Sequence, residues 1–166
     1  MTGTPLPVPQ PKAPAKLVSG DVTEEYLRMA TPGQGSITYE DGYQIKGHQS
    51  EINMADWLHR TFGGNIVLLK ESKEQGDKTP DFRWKEHLWE LKGVTTKNSV
   101  DRAVREAAKQ IQASPGGIIL DSSNSELSIE EIIDTINDRV KRIALDSVDM
   151  MIVSDETLRK IFRYKR

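Results

Sequence analysis

The chain has no cysteine. That excludes a disulfide framework, a zinc–thiolate site and a thiol nucleophile. Histidine is almost as scarce: His48, His59 and His87 are the three present, too few and too scattered for a convincing histidine metal cluster. No apolar run approaches the roughly 18 residues needed to span a bilayer, and no signal-peptide pattern opens the chain. The expectation is therefore no membrane partner and a cytoplasmic site of action. Neither sign of charge dominates. Lys and Arg number 23 against 25 Asp and Glu, a net charge of −2, so any nucleic-acid site has to be a local basic patch. Gly-rich phosphate loops of the P-loop or dinucleotide-binding kind are absent; Gly63-Gly64 and Gly116-Gly117 read as turn glycines.

What remains is enough for one domain: 166 residues, 36% hydrophobic and 29% charged. Six of the eight prolines (Pro5, Pro7, Pro9, Pro11, Pro14 and Pro32) crowd near the start. Alternating proline favours extended polyproline II and builds no packed core. Residues 1–35 are therefore expected to be a Pro-rich linker or docking arm, with a short helix over Val22–Met29, and residues 36–166 the folded domain.

From Ser36 onward the periodicities change. Ile52, Ala55, Leu58 and Phe62 form one helical stripe that Gly63-Gly64 ends. Ile66–Lys70 reads as a short buried strand. Pro80–Trp84 and Leu88–Val94 alternate with period two and are close enough for a hairpin. Val100, Ala103, Val104, Ala107, Ala108 and Ile111 mark a second helix, with Asn98 as its expected cap. Ile118–Leu120 is a strand. Ser128 and Glu131 form a capping box that opens a third helix. Met150–Val153 is a strand, and Leu158–Arg166 a strand or short helix. The order α-β-β-β-α-β-α-β gives an α/β (α+β) fold with a central mixed sheet flanked by helices.

The chemistry concentrates at Pro80-Asp81 and Glu90-Leu91-Lys92. Alternation along a strand puts Glu90 and Lys92 on one side, Trp89 and Leu91 on the other. A two-residue turn at Lys85-Glu86 would set Trp84 opposite His87, Phe82 opposite Trp89 and Asp81 opposite Glu90. Two carboxylates and an ammonium then share one face. Two such carboxylates repel, and a divalent cation, Mg²⁺ or Mn²⁺, removes that cost by taking oxygen ligands from both. It also polarises a phosphodiester and acidifies a bound water, while Lys92 orients that water or stabilises the transition state. The bland alternative is a surface ion pair on an amphipathic hairpin.

Element order and motif position resemble the PD-(D/E)xK restriction-endonuclease-like αβββαβ core, in which an acid from the first helix often completes the metal site. Glu51 opens that helix here; a carboxylate at a helix N-terminus also has the plainer role of balancing the helix dipole. Gln110, on the second helix, takes the place where related nucleases put a Gln or Lys facing the site; a packing role is the alternative. Arg102, Arg105 and Lys109 form a basic stripe suited to a phosphate backbone, and Lys70, ending the first strand, could reach the same cleft. The basic end, with Arg159, Lys160, Arg163, Lys165 and Arg166 around Phe162 and Tyr164, reads either as an RNA-binding tail or as a solubilising terminus closing the core. Trp57, Trp84 and Trp89 read as packing residues.

The runs "GGNIVLLKES", "KTPDFRWKEHLWELKG", "AAKQIQASPGGIILD" and "IFRYKR" together resemble small toxin-type nuclease domains similar to the C-terminal tRNase domains of CdiA contact-dependent inhibition proteins. The same module occurs in phages and integrative elements. The resemblance implies cleavage of RNA, with tRNA as a candidate substrate, as a growth-inhibiting activity, together with a cognate immunity protein. Its acidic-acidic-lysine motif falls on Asp81, Glu90 and Lys92. Asp81, Glu90 and Glu51 would be the metal ligands. DNA stays open as the alternative substrate. Two other readings stay open as well. One is a metal-independent RNase of the barnase/EndoU/colicin/RelE-like kind, using Lys92, Glu90, His48 and Thr95 or Thr96. The other is a non-catalytic phage structural or partner-binding module on the nuclease scaffold.

Overall fold

The structure is a computed structural model; it describes residues 18–71, 79–111 and 115–166. The elements in chain order are β1 (Val18–Asp21), α1 (Thr23–Met29), β2 (Ile37–Tyr39), α2 (Gln49–Thr61), β3 (Ile66–Leu68), β4 (Phe82–Trp84), β5 (His87–Gly93), α3 (Lys97–Ile111), β6 (Gly116–Asp121), α4 (Ile129–Val140), β7 (Ser147–Ser154) and β8 (Thr157–Lys165). They build one mixed sheet of eight strands in the order β1-β8-β7-β6-β5-β4-β3-β2. β3, β4 and β5 form an antiparallel meander, and β5, β6 and β7 run parallel through the crossover helices α3 and α4. The expected α/β (α+β) architecture with helices flanking a mixed sheet is present. No helix among the described residues is long and apolar enough to cross a membrane.

Because β6 and β7 lie mid-sheet, they are apolar on both faces. Ile118, Leu120, Met150 and Ile152 pack under α3 and α4 with Val100, Val104, Ala107, Ile111, Ile132 and Ile136. Ile119, Met151 and Val153 face the other way, with Tyr26 of α1 and Leu58 and Phe62 of α2. Phe82, Trp84 and Trp89 complete that second layer. Trp57 is buried there too, and its indole N–H donates to the Glu156 carbonyl at 2.8 Å. The packing role expected for the three tryptophans is what the structure shows.

The hairpin register is the expected one: Phe82 pairs with Trp89, Arg83 with Leu88 and Trp84 with His87. Its two-residue turn lacks glycine, yet Lys85 and Glu86 both sit at positive φ, 53° and 62°. That is the type I′ geometry that matches the twist of the strands, held here by residues for which it costs roughly 1 kcal/mol each. Asp155-Glu156 repeats the device between β7 and β8, at φ 49° and 56°.

The expected start of the folded part and the expected cap of α3 need correction. The folded part begins by Val18, not Ser36: β1 pairs antiparallel with β8, and Tyr26 of α1 is buried. The proline-rich positions before Val18 lie outside the described residues. The cap of α3 is Thr96, not Asn98. Thr96 Oγ1 accepts the Ser99 N–H at 3.2 Å and Ser99 Oγ accepts the Thr96 N–H at 3.0 Å, while Asp101 takes a bidentate contact from Arg139, at 2.7 Å for each bond. The C-terminal segment is a strand, β8, whose Tyr164 is buried and donates to Asn137 Oδ1 at 2.6 Å. Arg163 is spent on Asp149 and Glu25, so this end closes the core. The Ser128–Glu131 capping box on α4 is formed as expected.

Trp89 lies directly against Gly117 on β6, where any Cβ would collide with its ring, whereas a Cβ at Gly93 meets nothing. Gly117→Ala is expected to lower stability by about 1–3 kcal/mol, and Gly93→Ala to change it by no more than about 0.5 kcal/mol. Urea midpoints of the two variants check this; equal midpoints would mean the Trp89 ring has room to move.

Candidate functional site

The site is built where α2, the β4–β5 hairpin and α3 meet. Asp81 immediately precedes β4. Its backbone N–H donates to the Trp89 carbonyl at 2.9 Å, and its carbonyl accepts from Leu69 N–H at 3.0 Å, which locks it between β3 and β5. Its Oδ2 accepts the Leu91 N–H at 2.8 Å. Glu90, on β5, is 2% exposed. Its Oε2 lies 3.8 Å from Lys92 Nζ, and its Oε1 is buried without a hydrogen-bond partner. Glu51 comes from the first turn of α2 and accepts the Tyr43 O–H at Oε2, 2.9 Å. The carboxyl group of Asp81 is close enough to those of Glu51 and Glu90 for each to act electrostatically on it.

Carboxyl groups in contact cannot all be ionised in a half-buried place. Burial first, then the hydrogen bond and charge of Glu90, pushes Asp81 up to about 8 against the pull of Leu91 N–H. Burial and the charge of Asp81 push Glu51 up to about 7 against the Tyr43 O–H. Burial also holds Glu90 above the usual carboxylate range, opposed by Asp81 and Lys92. A set of acids shifted upward by each other and by burial makes this place a candidate functional site.

Lys92 also lies 3.8 Å from Glu106 of α3. Lys92, Glu106 and Gln110 line one groove with Arg105 and Lys109. Gln110 Oε1 is buried and unpartnered. Of the residues singled out in the sequence, Asp81, Glu90, Lys92 and Glu51 are thus brought together, and Gln110, Arg105 and Lys109 border them. Arg102 is exposed on α3 but does not line this groove. Lys70 is exposed beyond β3, its side chain lying beside Gly42. His48 is tied at Nδ1 to the Gln44 carbonyl, 2.7 Å, and at Nε2 to Glu71, 3.2 Å. Thr95 and Thr96 belong to the cap of α3. Sequence reasoning passed over Tyr43 and Glu106. Glu106 stands four residues before Gln110 on α3, a spacing that puts both on one face; Tyr43 lies in a loop and carries no such signal.

The donor set suits a hard divalent cation: all oxygen, all acidic, with one Glu90 oxygen buried and unpartnered. Among the described residues no three acidic or histidine side chains surround a common point with metal-holding geometry; the acids stand in a row, and a bound cation would relieve their mutual repulsion.

Residues 78–157 match the family model described as the contact-dependent growth inhibition CdiA C-terminal domain. Among solved structures the chain is similar to the CdiA-CT/CdiI toxin and immunity complex from Burkholderia pseudomallei, with a TM-score of 0.52 and 17% identity, covering 75% of this chain and 98% of that one. At that identity the likeness speaks for the fold. No curated protein sequence matches.

The raised acids set a pH prediction. Unfolded carboxyls ionise near 4, whereas folded Asp81 keeps its proton to about 8. Between those values the folded state binds more protons than the unfolded one, so stability falls as pH rises from roughly 4 to 8. Asp81→Asn keeps an acceptor for Leu91 N–H and removes the ionisation. Its melting temperature, compared with that of the parent, should rise steadily from pH 5 to pH 8. A constant difference across that range would show that Asp81 titrates normally.

Proposed function

We propose, from the match of residues 78–157 to the CdiA C-terminal domain model, that this chain is a toxin-type nuclease that hydrolyses phosphodiester bonds in RNA, tRNA first among the candidates, with the help of Mg²⁺ or Mn²⁺. The observation that carries this reading is the row Glu51–Asp81–Glu90 beside Lys92, with a Glu90 oxygen buried and unpartnered. Asp81 and Glu90, assisted by Glu51, would hold the cation. When bound, it supplies polarisation of the phosphodiester and a water acidic enough to ionise near neutral pH.

The chain's own groups do the rest. Leu91 N–H fixes the orientation of Asp81, and Tyr43 fixes that of Glu51. Lys92 offers an ammonium where negative charge accumulates during attack on phosphorus. It is drawn toward that place by Glu90 on one side and Glu106 on the other. Arg105 and Lys109 hold the strand's phosphates along the groove. Gln110 presents an amide beside Lys92, suited to orienting a water or a phosphate oxygen. One observation favours a second reading: Glu51, at about 7, is poised for proton transfer at neutral pH without a metal.

As a growth-inhibition effector the enzyme would act in the cytoplasm of a target cell, and its producer would need an immunity protein. The structural neighbour was solved as such a toxin and immunity complex.

Incubation with total RNA, purified tRNA and plasmid, in Mg²⁺ and in EDTA, tests the reading. Cleavage of RNA is expected in Mg²⁺ and lost in EDTA. Asp81→Ala and Lys92→Ala should each reduce it by on the order of 100-fold or more while circular dichroism stays unchanged. Cleavage that survives EDTA selects the proton-transfer reading, and cleavage of plasmid alone removes RNA as substrate. Mg²⁺ should also raise the melting temperature of the parent at pH 7.5 but not that of Asp81→Ala. Intact RNA under every condition would sink the nuclease assignment.

A further inference from the structure

Glu51 is reached through an aromatic cluster of which the steps above use Tyr43 alone. Tyr39, at the end of the edge strand β2, lies 5.4 Å from Tyr43 between ring centroids, at an interplanar angle of 52°. Tyr43 lies 5.6 Å from His48 at 47°. Tyr43 donates its O–H to Glu51, so the innermost ring is in direct contact with the acid row. Tyr39 is 46% exposed, and Ile45 in the same loop is 61% exposed. Buried aromatics are accounted for by the core. Tyr43 packs against one core layer, but Tyr39 belongs to neither, and an edge strand gains nothing in solubility from it.

Charges of both signs stand near the rings. Lys46 and Lys70 are exposed on this loop and beside it, and Lys70 runs along Gly42. Acids stand nearby as well: Glu71 pairs with His48, and Glu40 accepts the Lys70 backbone N–H at 3.3 Å. Asp41 is exposed. Flat rings with an accessible face, flanked by lysines and ending on a candidate phosphodiester-cleaving site, match the needs of one ligand class. Aromatic faces accept nucleobases only when those bases are unstacked, and a duplex would present phosphates and ribose here instead.

We propose that Tyr39 and Tyr43 form a stacking platform that holds an unpaired nucleobase of the RNA substrate beside the carboxylate row, with Lys46 and Lys70 on its phosphates. The proposal rests on the nuclease reading and narrows it: the enzyme acts on single-stranded or locally opened RNA. Tyr43 has two roles in it, as stacking surface and as the donor that positions Glu51; Tyr39 has only the first, which makes Tyr39 the diagnostic residue.

The test is binding, so it does not need turnover. A fluorescein-labelled single-stranded RNA decamer and its blunt duplex are titrated, by fluorescence anisotropy, with full-length Lys92→Ala protein in EDTA. The single strand should bind more tightly than the duplex. Adding Tyr39→Ala should weaken single-strand binding by on the order of 5- to 150-fold, the worth of one stacked base, and leave duplex binding unchanged. Tyr39→Phe, which keeps the ring, should bind like its parent and shows that loss in the alanine variant is not a folding defect. Equal affinity for single strand and duplex, or Tyr39→Ala binding like its parent, overturns the platform. If that result comes with Mg²⁺-dependent RNA cleavage by the wild-type protein, the platform alone fails and the nuclease reading stands. If the parent neither binds the decamer nor cleaves RNA in its Lys92 form, both fail.

Discussion

The register of the β4–β5 hairpin is the constraint on which the rest depends. Pairing Phe82 with Trp89 does two things at once. On one face it stacks the large rings of Trp84 and Trp89, 5.1 Å apart, against Tyr26 and Phe62. On the other it sets Asp81 beside Glu90 and directs Lys92 to α3. A slip of one residue would exchange the faces. Trp89 would enter the acid groove, and Glu90 would be driven against the apolar layer. The core thus enforces the site: the aromatic pair stabilises the register, and the register compels the acids to meet.

That compulsion has an electrostatic cost the chain bears openly. Two carboxylates about 4 Å apart repel by about 4 kcal/mol at an effective dielectric constant of ~20, and burial adds to this. The chain offsets part of it with Leu91 N–H, the Tyr43 O–H and Lys92. The remainder appears as retained protons on Asp81 and Glu51. Had stability been the only requirement, an apolar residue at position 90 would have served better. By contrast Asp149, equally buried, has Arg163 and Tyr26 as partners and belongs to the architecture.

Much of this was legible in the sequence because alternation is a local signal. The facing of Glu90 and Lys92, the Phe82–Trp89 pair and the α4 capping box follow from spacing alone, and the hairpin register held although its turn has no glycine. The failures have physical reasons too. β1 is the stretch Val-Ser-Gly-Asp, exposed throughout, with no apolar alternation to read; it is a strand because β8 offers it an edge. β2 has three residues and owes its existence to β3. Thr96 outcompeted Asn98 as the cap because Ser99 could return the hydrogen bond, a reciprocity that neighbouring sequence does not rank. Tyr43 and Glu106 reach the site from a loop and from across the groove, through tertiary packing that no periodicity encodes.

The reach of the family match separates two parts of the site. The matched segment, residues 78–157, contains Asp81, Glu90, Lys92, Glu106 and Gln110. Glu51, Tyr43 and Tyr39 precede it. A shared fold at 17% identity does not transfer substrate choice, which resides in side chains grafted on the scaffold. The central acids and lysine therefore lie within the segment that the family model covers. The outer rim contributed by β2, its loop and the first turn of α2 is argued from this molecule alone. Among the described residues of that rim, Tyr43 donates to Glu51, and Glu51 stands beside Asp81 of the centre. Under the proposed reading, a base stacked on Tyr43 would be coupled through that bond to the orientation of Glu51, so recognition at the rim and chemistry at the centre would share a residue.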